Sequence, residues 1–202
     1  TFAYSGGDTA VITFTSENTT SYPREAEVTF TCGDASVTVV AQQGINPANK
    51  LGYELVTDAS TLAIGDEVII VAKNADKALG VSTSTITSQT TFPSASIVKS
   101  GNVIYDAEEA GAVVFTLASA GVDGKFAFQF THKSSSYYLY IGSSTLKGNT
   151  SLSNYTKLSI DIDSASGVAR IINSASTAAL ITYNSTSSKV GATKVSDDVA
   201  AD

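Results

Sequence analysis

Tyr137, Tyr138 and Tyr140 crowd into residues 136–141, Ser-Tyr-Tyr-Leu-Tyr-Ile, the densest aromatic cluster in the chain. If Leu139 and Ile141 face inward, like Leu79 and Val81 in an earlier stretch of similar spacing, Tyr138 and Tyr140 face outward. An outward tyrosine offers a flat apolar ring for a sugar face and a hydroxyl for hydrogen bonding. Tyr155, Tyr183 and Asn184 fall in later loops and complete the candidate ligand-binding set. The plainer explanation is that these rings cover a sheet or pack under loops. There is no tryptophan, the ring that sugar sites often use.

Other reactive groups are sparse. His132 is the only histidine and is expected in a polar turn, as a solvated residue with no nucleophile to serve. Asp161 and Asp163 begin like a calcium loop but lack the distal ligands, so a β-turn is the better reading. Asp106, Glu108 and Glu109 could pair for glycoside hydrolysis only across a defined cleft, and a solvated loop explains them better. Cys32 is the sole cysteine and is expected at an inward strand position, which leaves no disulfide or metal set. Asn18, Asn149, Asn154 and Asn184 open sequons of the kind that arise by chance in a Ser/Thr-rich chain, and two short motifs at Asp8 and Asp163 resemble acceptors for bacterial O-glycosylation. No catalytic residue, metal ligand or cofactor is therefore expected.

The elements that position these residues repeat. Ile70 precedes Leu79, Phe130 precedes Leu139 and Ile171 precedes Leu180, each by nine positions across a short polar run. Phe115 and Leu158 each stand nine positions before a glycine that leads into the next strand. A unit of strand, polar turn and strand used three times implies one shared core. The later leucines are 41 positions apart, the earlier ones 60, and the excess falls in residues 82–112, expected as a long loop or extra hairpin. Three such units are the pattern of a β-trefoil, whose closure would remove sheet edges; an open sandwich is the alternative. Residues 189–202 contain little that reads as a final strand.

The chain is expected to be all-β, since strand formers dominate and no long helical stripe occurs. With net charge −7 and its twelve basic residues scattered singly, it carries no stripe for nucleic acid or anionic membranes. No apolar run reaches the roughly 20 residues of a membrane span. The strand-like opening at Thr1 suggests a processed or trimmed N-terminus and leaves room for a lipid anchor upstream.

Residues 1–44 alternate as a β meander with one buried face: Ala10, Ile12 and Phe14; Ala26, Val28, Phe30 and Cys32; Val37, Val39 and Ala41. Gly33 and Asp34 suit a tight turn. The run from Val11 to Gly44, with its turn at Asn18 and Thr19, Arg24 opening a strand, and the closing Gln42, Gln43 and Gly44, resembles the end of a BACON domain. Such domains are immunoglobulin-like sandwiches of Bacteroidetes with a presumed carbohydrate association, and the resemblance covers about the last three strands. Residues 53–71, from Tyr53 through Gly65 and Asp66 to Val71, resemble the opening of a β module of similar bacterial surface proteins. The expected organisation is a partial BACON-like sandwich over residues 1–45, a linker over 46–52 and a β-trefoil-like domain over 53–202. The resemblance implies a non-catalytic protein, extracellular or at the surface of a Gram-negative cell or in its periplasm, that binds a polysaccharide, host glycan or surface protein. The alternative is a structural spacer or adhesion module with no small ligand.

Overall fold

The computed structural model describes residues 2–4, 10–16, 18, 23–44, 52–105 and 107–195. The chain is all-β, and it divides into two compact units, Thr1–Gly52 and Tyr53–Asp202. Among the described residues no helix is long and apolar enough to cross a membrane. The linker expected over 46–52 lies outside the described residues except for Gly52.

In the first unit β1 (Phe2–Tyr4) pairs antiparallel with β2 (Ala10–Ile12), and β3 (Arg24–Cys32) pairs with β4 (Ala35–Gln43). Gly33 turns the second hairpin with a φ of +59°, a conformation glycine adopts without strain. A hydroxyl pair between Thr29 and Thr38 at 2.8 Å ties the strands together. The expected buried face is not found on β4, where Val37 and Val40 are 57% and 56% exposed. Alternation assigns residues to faces, but a two-stranded ribbon buries a face only where something packs on it. The side chain of Cys32 lies outside the described residues.

The second unit is a strand sequence of β5 (Gly52–Glu54), β6 (Glu67–Val68), β7 (Lys77–Leu79), β8 (Phe92–Ser96), β9 (Val98–Ser100), β10 (Val103–Tyr105), β11 (Phe115–Ser119), β12 (Phe126–His132), β13 (Ser135–Ile141), β14 (Leu146–Asn149), β15 (Leu158–Ile162), β16 (Ala169–Asn173), β17 (Ala179–Asn184) and β18 (Lys189–Lys194). A small sheet runs β5-β10-β9. The large one follows β14-β13-β12-β15-β16-β17-β18-β8-β7, with β11 on β12 and β6 on β11. The ladders end at β14 and β7, and at β6 on the branch through β11; β7 is joined to the segment after β6 only by an isolated bridge, Ala78 to Val71, so the ladders do not form a closed sheet.

The repeats meet at two joints. Phe115, opening β11, sits opposite Val68, and Leu158, opening β15, sits opposite Phe126. All three repeat leucines are buried. Val81, expected inward beside Leu79, is instead 50% exposed, because the β7 ladder ends at Leu79. Residues 82–112 hold β8, β9 and β10, more structure than one loop or hairpin. Residues 189–194, expected to be irregular, form a strand that pairs with β17 on one side and β8 on the other. Partner edges on both sides outweigh the weak strand signal of Lys-Val-Gly-Ala-Thr-Lys.

Beside the main core, Ala78, Ala95, Ile97, Ile104, Ala107 and Ala112 form a smaller cluster against which Tyr53 packs. Burial, then the charges of Glu108 and Glu67, push the Tyr53 hydroxyl up to about 12. Its folded value lies above the unfolded one, so its contribution is complete below about pH 10 and declines as pH rises toward 12. Urea midpoints taken between pH 9 and 11.5 should fall more steeply for wild type than for Tyr53→Phe. Parallel curves would mean that the hydroxyl is not coupled to folding.

Candidate functional site

The turn between β12 and β13 is made by Lys133 and Ser134, both with positive φ (47° and 63°), the backbone of a two-residue hairpin. It sets the register: His132 faces Ser135, Phe130 faces Tyr137 and Gln129 faces Tyr138. Leu139 and Ile141 then point into the core, fully buried, while Tyr138 and Tyr140 lie on the outer face, half-buried. On the other side of β13, Asn149 stands opposite Tyr138 and Lys147 opposite Tyr140.

Tyr155 comes to this face from the loop after β14. Its ring stacks on Tyr140 with centroids 4.9 Å apart and planes inclined by 26°. The Lys147 ammonium lies 4.9 Å from the Tyr140 centroid. A stacked pair contributes about 0.5–1.5 kcal/mol beyond burial, and an exposed cation–π contact about 0.5–1 kcal/mol. Burial, then the neighbouring Tyr155, raise the Tyr140 hydroxyl above its ordinary value.

The loop is held at three points. Fully buried Thr156 accepts from the Ser153 N–H (2.8 Å) and donates to its carbonyl (3.0 Å). The Ser174 N–H donates to the Asn154 carbonyl at 2.8 Å, and the Ile141 N–H donates to the Tyr155 carbonyl at 2.9 Å. Ile141 is fixed in turn by buried Asn173, whose Nδ2 donates to its carbonyl at 2.5 Å.

Gly142 leaves the room that Tyr140 fills, for a Cβ there would stand 3.0 Å from the ring's Cε1. Gly142→Ala should push the ring off Tyr155, diminishing the tyrosine near-UV dichroism at a stability cost of about 1–3 kcal/mol. An unchanged spectrum would show that the ring is not confined there.

Of the expected site residues, Tyr138, Tyr140 and Tyr155 come together. Tyr183 leans on the core, and Asn184 accepts from the Ser187 N–H at 2.9 Å within its own turn; no ring contact or hydrogen bond joins either to Tyr140 or Tyr155. Lys147, Asn149, Gln129 and Gly142 were not anticipated, although the period-2 pattern of Leu146, Lys147, Gly148 and Asn149 carries the signal for two of them.

His132 is not a solvated turn residue. It is 8% exposed, edge-on to Tyr137 at 6.5 Å, and its Nε2 has no hydrogen-bond partner. The two residues after it make the turn, so His132 closes the inward series of Phe128 and Phe130. Asp163 holds a turn, accepting from the Ser166 N–H at 2.6 Å, and hydrogen bonding from the Ser166 side chain, then from this N–H, lowers its carboxyl below the usual range. Glu108 and Glu109 are exposed, while Asp106 lies outside the described residues. Among the described residues no three His, Cys, Asp or Glu side chains are grouped to hold a metal. Compared with protein-family models, curated proteins and solved structures, the chain matches none of them.

Proposed function

We propose that the protein is a non-catalytic, exported binding module of the cell surface whose ligand is carbohydrate, a polysaccharide or host glycan. The observation that carries this reading is the Tyr140–Tyr155 stack, fixed by Gly142 and the Ile141 backbone and flanked by the hydroxyl and amide groups of Tyr138, Gln129 and Asn149. Rings beside hydrogen-bonding groups suit a sugar, which has apolar C–H faces and a polar rim. Exposed Glu108 and Glu109, with Asp163 engaged in its own turn, favour binding over hydrolysis. The repeated strand, polar turn and strand units, with Leu79 and Leu139 in one core, support a trefoil-like second domain; the resemblance of residues 11–44 supports a BACON-like first one.

The test is a glycan and polysaccharide array probed with wild type and Tyr140→Ala/Tyr155→Ala. Binding that weakens by about tenfold or more in a variant with unchanged far-UV dichroism supports the reading, tenfold being about 1.4 kcal/mol. Binding that survives intact moves the site elsewhere, and no binding to any glycan rejects the reading.

A second reading, a protein-adhesion or spacer module, is favoured by one feature. The β3–β4 ribbon exposes Val37, Val39 and Val40, and exposed apolar side chains grouped on a ribbon suit protein contact.

A further inference from the structure

Residues paired in register across antiparallel strands share a face, and five of them form one line on the outer surface. Glu67 of β6 lies opposite Thr116 of β11, Thr116 opposite Gln129, Gln129 opposite Tyr138 and Tyr138 opposite Asn149. Their neighbours along the strands, Val68, Phe115, Leu117, Phe128, Phe130, Leu139 and Gly148, point the other way into the core. The line therefore crosses five strands and consists wholly of polar or amphipathic side chains.

Much of its hydrogen-bonding capacity is uncommitted. Gln129 uses Nε2 to donate to Ser136 Oγ at 2.6 Å and keeps its carbonyl oxygen. Asn149 donates from Nδ2 to the Ser151 carbonyl at 2.7 Å and likewise keeps Oδ1. Among the described residues the Tyr138 and Thr116 hydroxyls and the Glu67 carboxylate have no hydrogen-bond partner. Free acceptors and hydroxyls at regular intervals are complementary to a ligand whose own hydroxyls recur at regular intervals.

We infer that this line is the track of a neutral, linear polysaccharide, and that the Tyr140–Tyr155 pair beside it grips one of its sugar rings. This deepens the carbohydrate reading above and rests on it. Strands about 4.8 Å apart give four gaps of about 19 Å in all, comparable to a chain of about four sugar units. Sheet twist of about 20–25° per strand rotates the outer face about this line by roughly 80–100° in all, so the ligand must twist along its length and cannot be a flat, rigid ribbon. Neutrality follows from charge. The protein carries −7, the line includes a carboxylate, and its adjacent cation, Lys147, is placed over the Tyr140 ring. The track is reached from solvent along its length: Glu67 and Thr116 are exposed, and Gln129, Tyr138 and Asn149 are half-buried. Recognition is thus of internal stretches of chain, not of a terminal sugar.

The experiment is calorimetry with soluble neutral polysaccharides (mixed-linkage β-glucan, xyloglucan, mannan and pullulan), with alginate as the polyanion, then with two-, four- and six-unit fragments of the tightest neutral binder. The proteins are wild type, Glu67→Ala/Thr116→Ala and Tyr140→Ala/Tyr155→Ala. Wild type should bind the longer fragments at least about tenfold more tightly than the two-unit one, about 1.4 kcal/mol. The Glu67/Thr116 variant, altered at the end of the line away from the tyrosine pair, should lose this gain yet retain two-unit binding, while the tyrosine variant should lose both. Equal affinity for two- and six-unit fragments overturns the track and leaves the carbohydrate reading standing. Tighter binding of alginate overturns neutrality. No binding to any polysaccharide removes both inferences.

Discussion

Phe115→Ala is expected to cost about 3–5 kcal/mol, a large share of the roughly 5–15 kcal/mol that holds a domain folded. Phe115 is fully buried, with edge-on rings on two sides: Phe128 at 5.7 Å and Phe130 at 5.4 Å. The series extends from Phe130 to Phe92 at 6.1 Å. Truncation removes transfer energy and two aromatic contacts, and leaves a cavity that strands on either side cannot collapse to fill. It also weakens a joint between repeats, since Phe115 faces Val68. With a urea slope of about 1–3 kcal/mol/M, the midpoint should fall by roughly 1–3 M or more. Phe115→Leu keeps much of the volume and should cost about 1–2 kcal/mol. A loss below about 1 kcal/mol for the alanine variant would show that the core is not organised around this ring.

Asn173→Ala should be almost as damaging, through a different term. Its side chain donates to the Ile141 carbonyl and accepts from the N–H groups of Ala175 (3.2 Å) and Ala179 (3.4 Å), in a position only 4% exposed. Alanine leaves three backbone groups without this partner at about 1–3 kcal/mol each where water cannot reach, so a loss of about 3 kcal/mol or more is expected. The effect reaches the candidate site. Ile141 joins Asn173 to the Tyr155 carbonyl, so the variant should lose tyrosine near-UV dichroism at temperatures where far-UV dichroism is unchanged. Full stability with an intact tyrosine signal would mean that other groups replace the amide.

Much of this was legible in the sequence because strand alternation has a short period. Leu79 and Leu139 declared a shared core, while Leu180, although buried, alternates away from it on β17, where Ala179 and Ile181 face the core; alternation between Tyr138 and Leu139 sorted outer from inner face within one strand. What the sequence hid was register between distant strands. Glu67, Thr116, Gln129 and Asn149 carry no hydrophobic pattern, and only the pairings of β6, β11, β12 and β14 put them in line with Tyr138. The contact of Tyr155 with Tyr140 is likewise made by backbone bonds to Ile141 and Ser174. His132 was misplaced because its turn has no glycine: Lys133 and Ser134 adopt left-handed backbone that their types do not advertise. The last strand was missed because two neighbouring edges, not its own residues, select its conformation.

The pairing of β18 with β8 bears on how the chain is made. Val190 sits opposite Phe92, 98 positions earlier in the sequence. A ribosome adding about 5–20 residues per second leaves β8 waiting roughly 5–20 s for that partner. Until then Phe92, a ring fully buried in the finished fold, has one flank uncovered and its strand has an edge unpaired. Contacts this distant in sequence also make folding slow once synthesis is done. The nascent protein thus passes through an interval in which chaperones, or a neighbouring copy, compete for the edge that β18 will occupy.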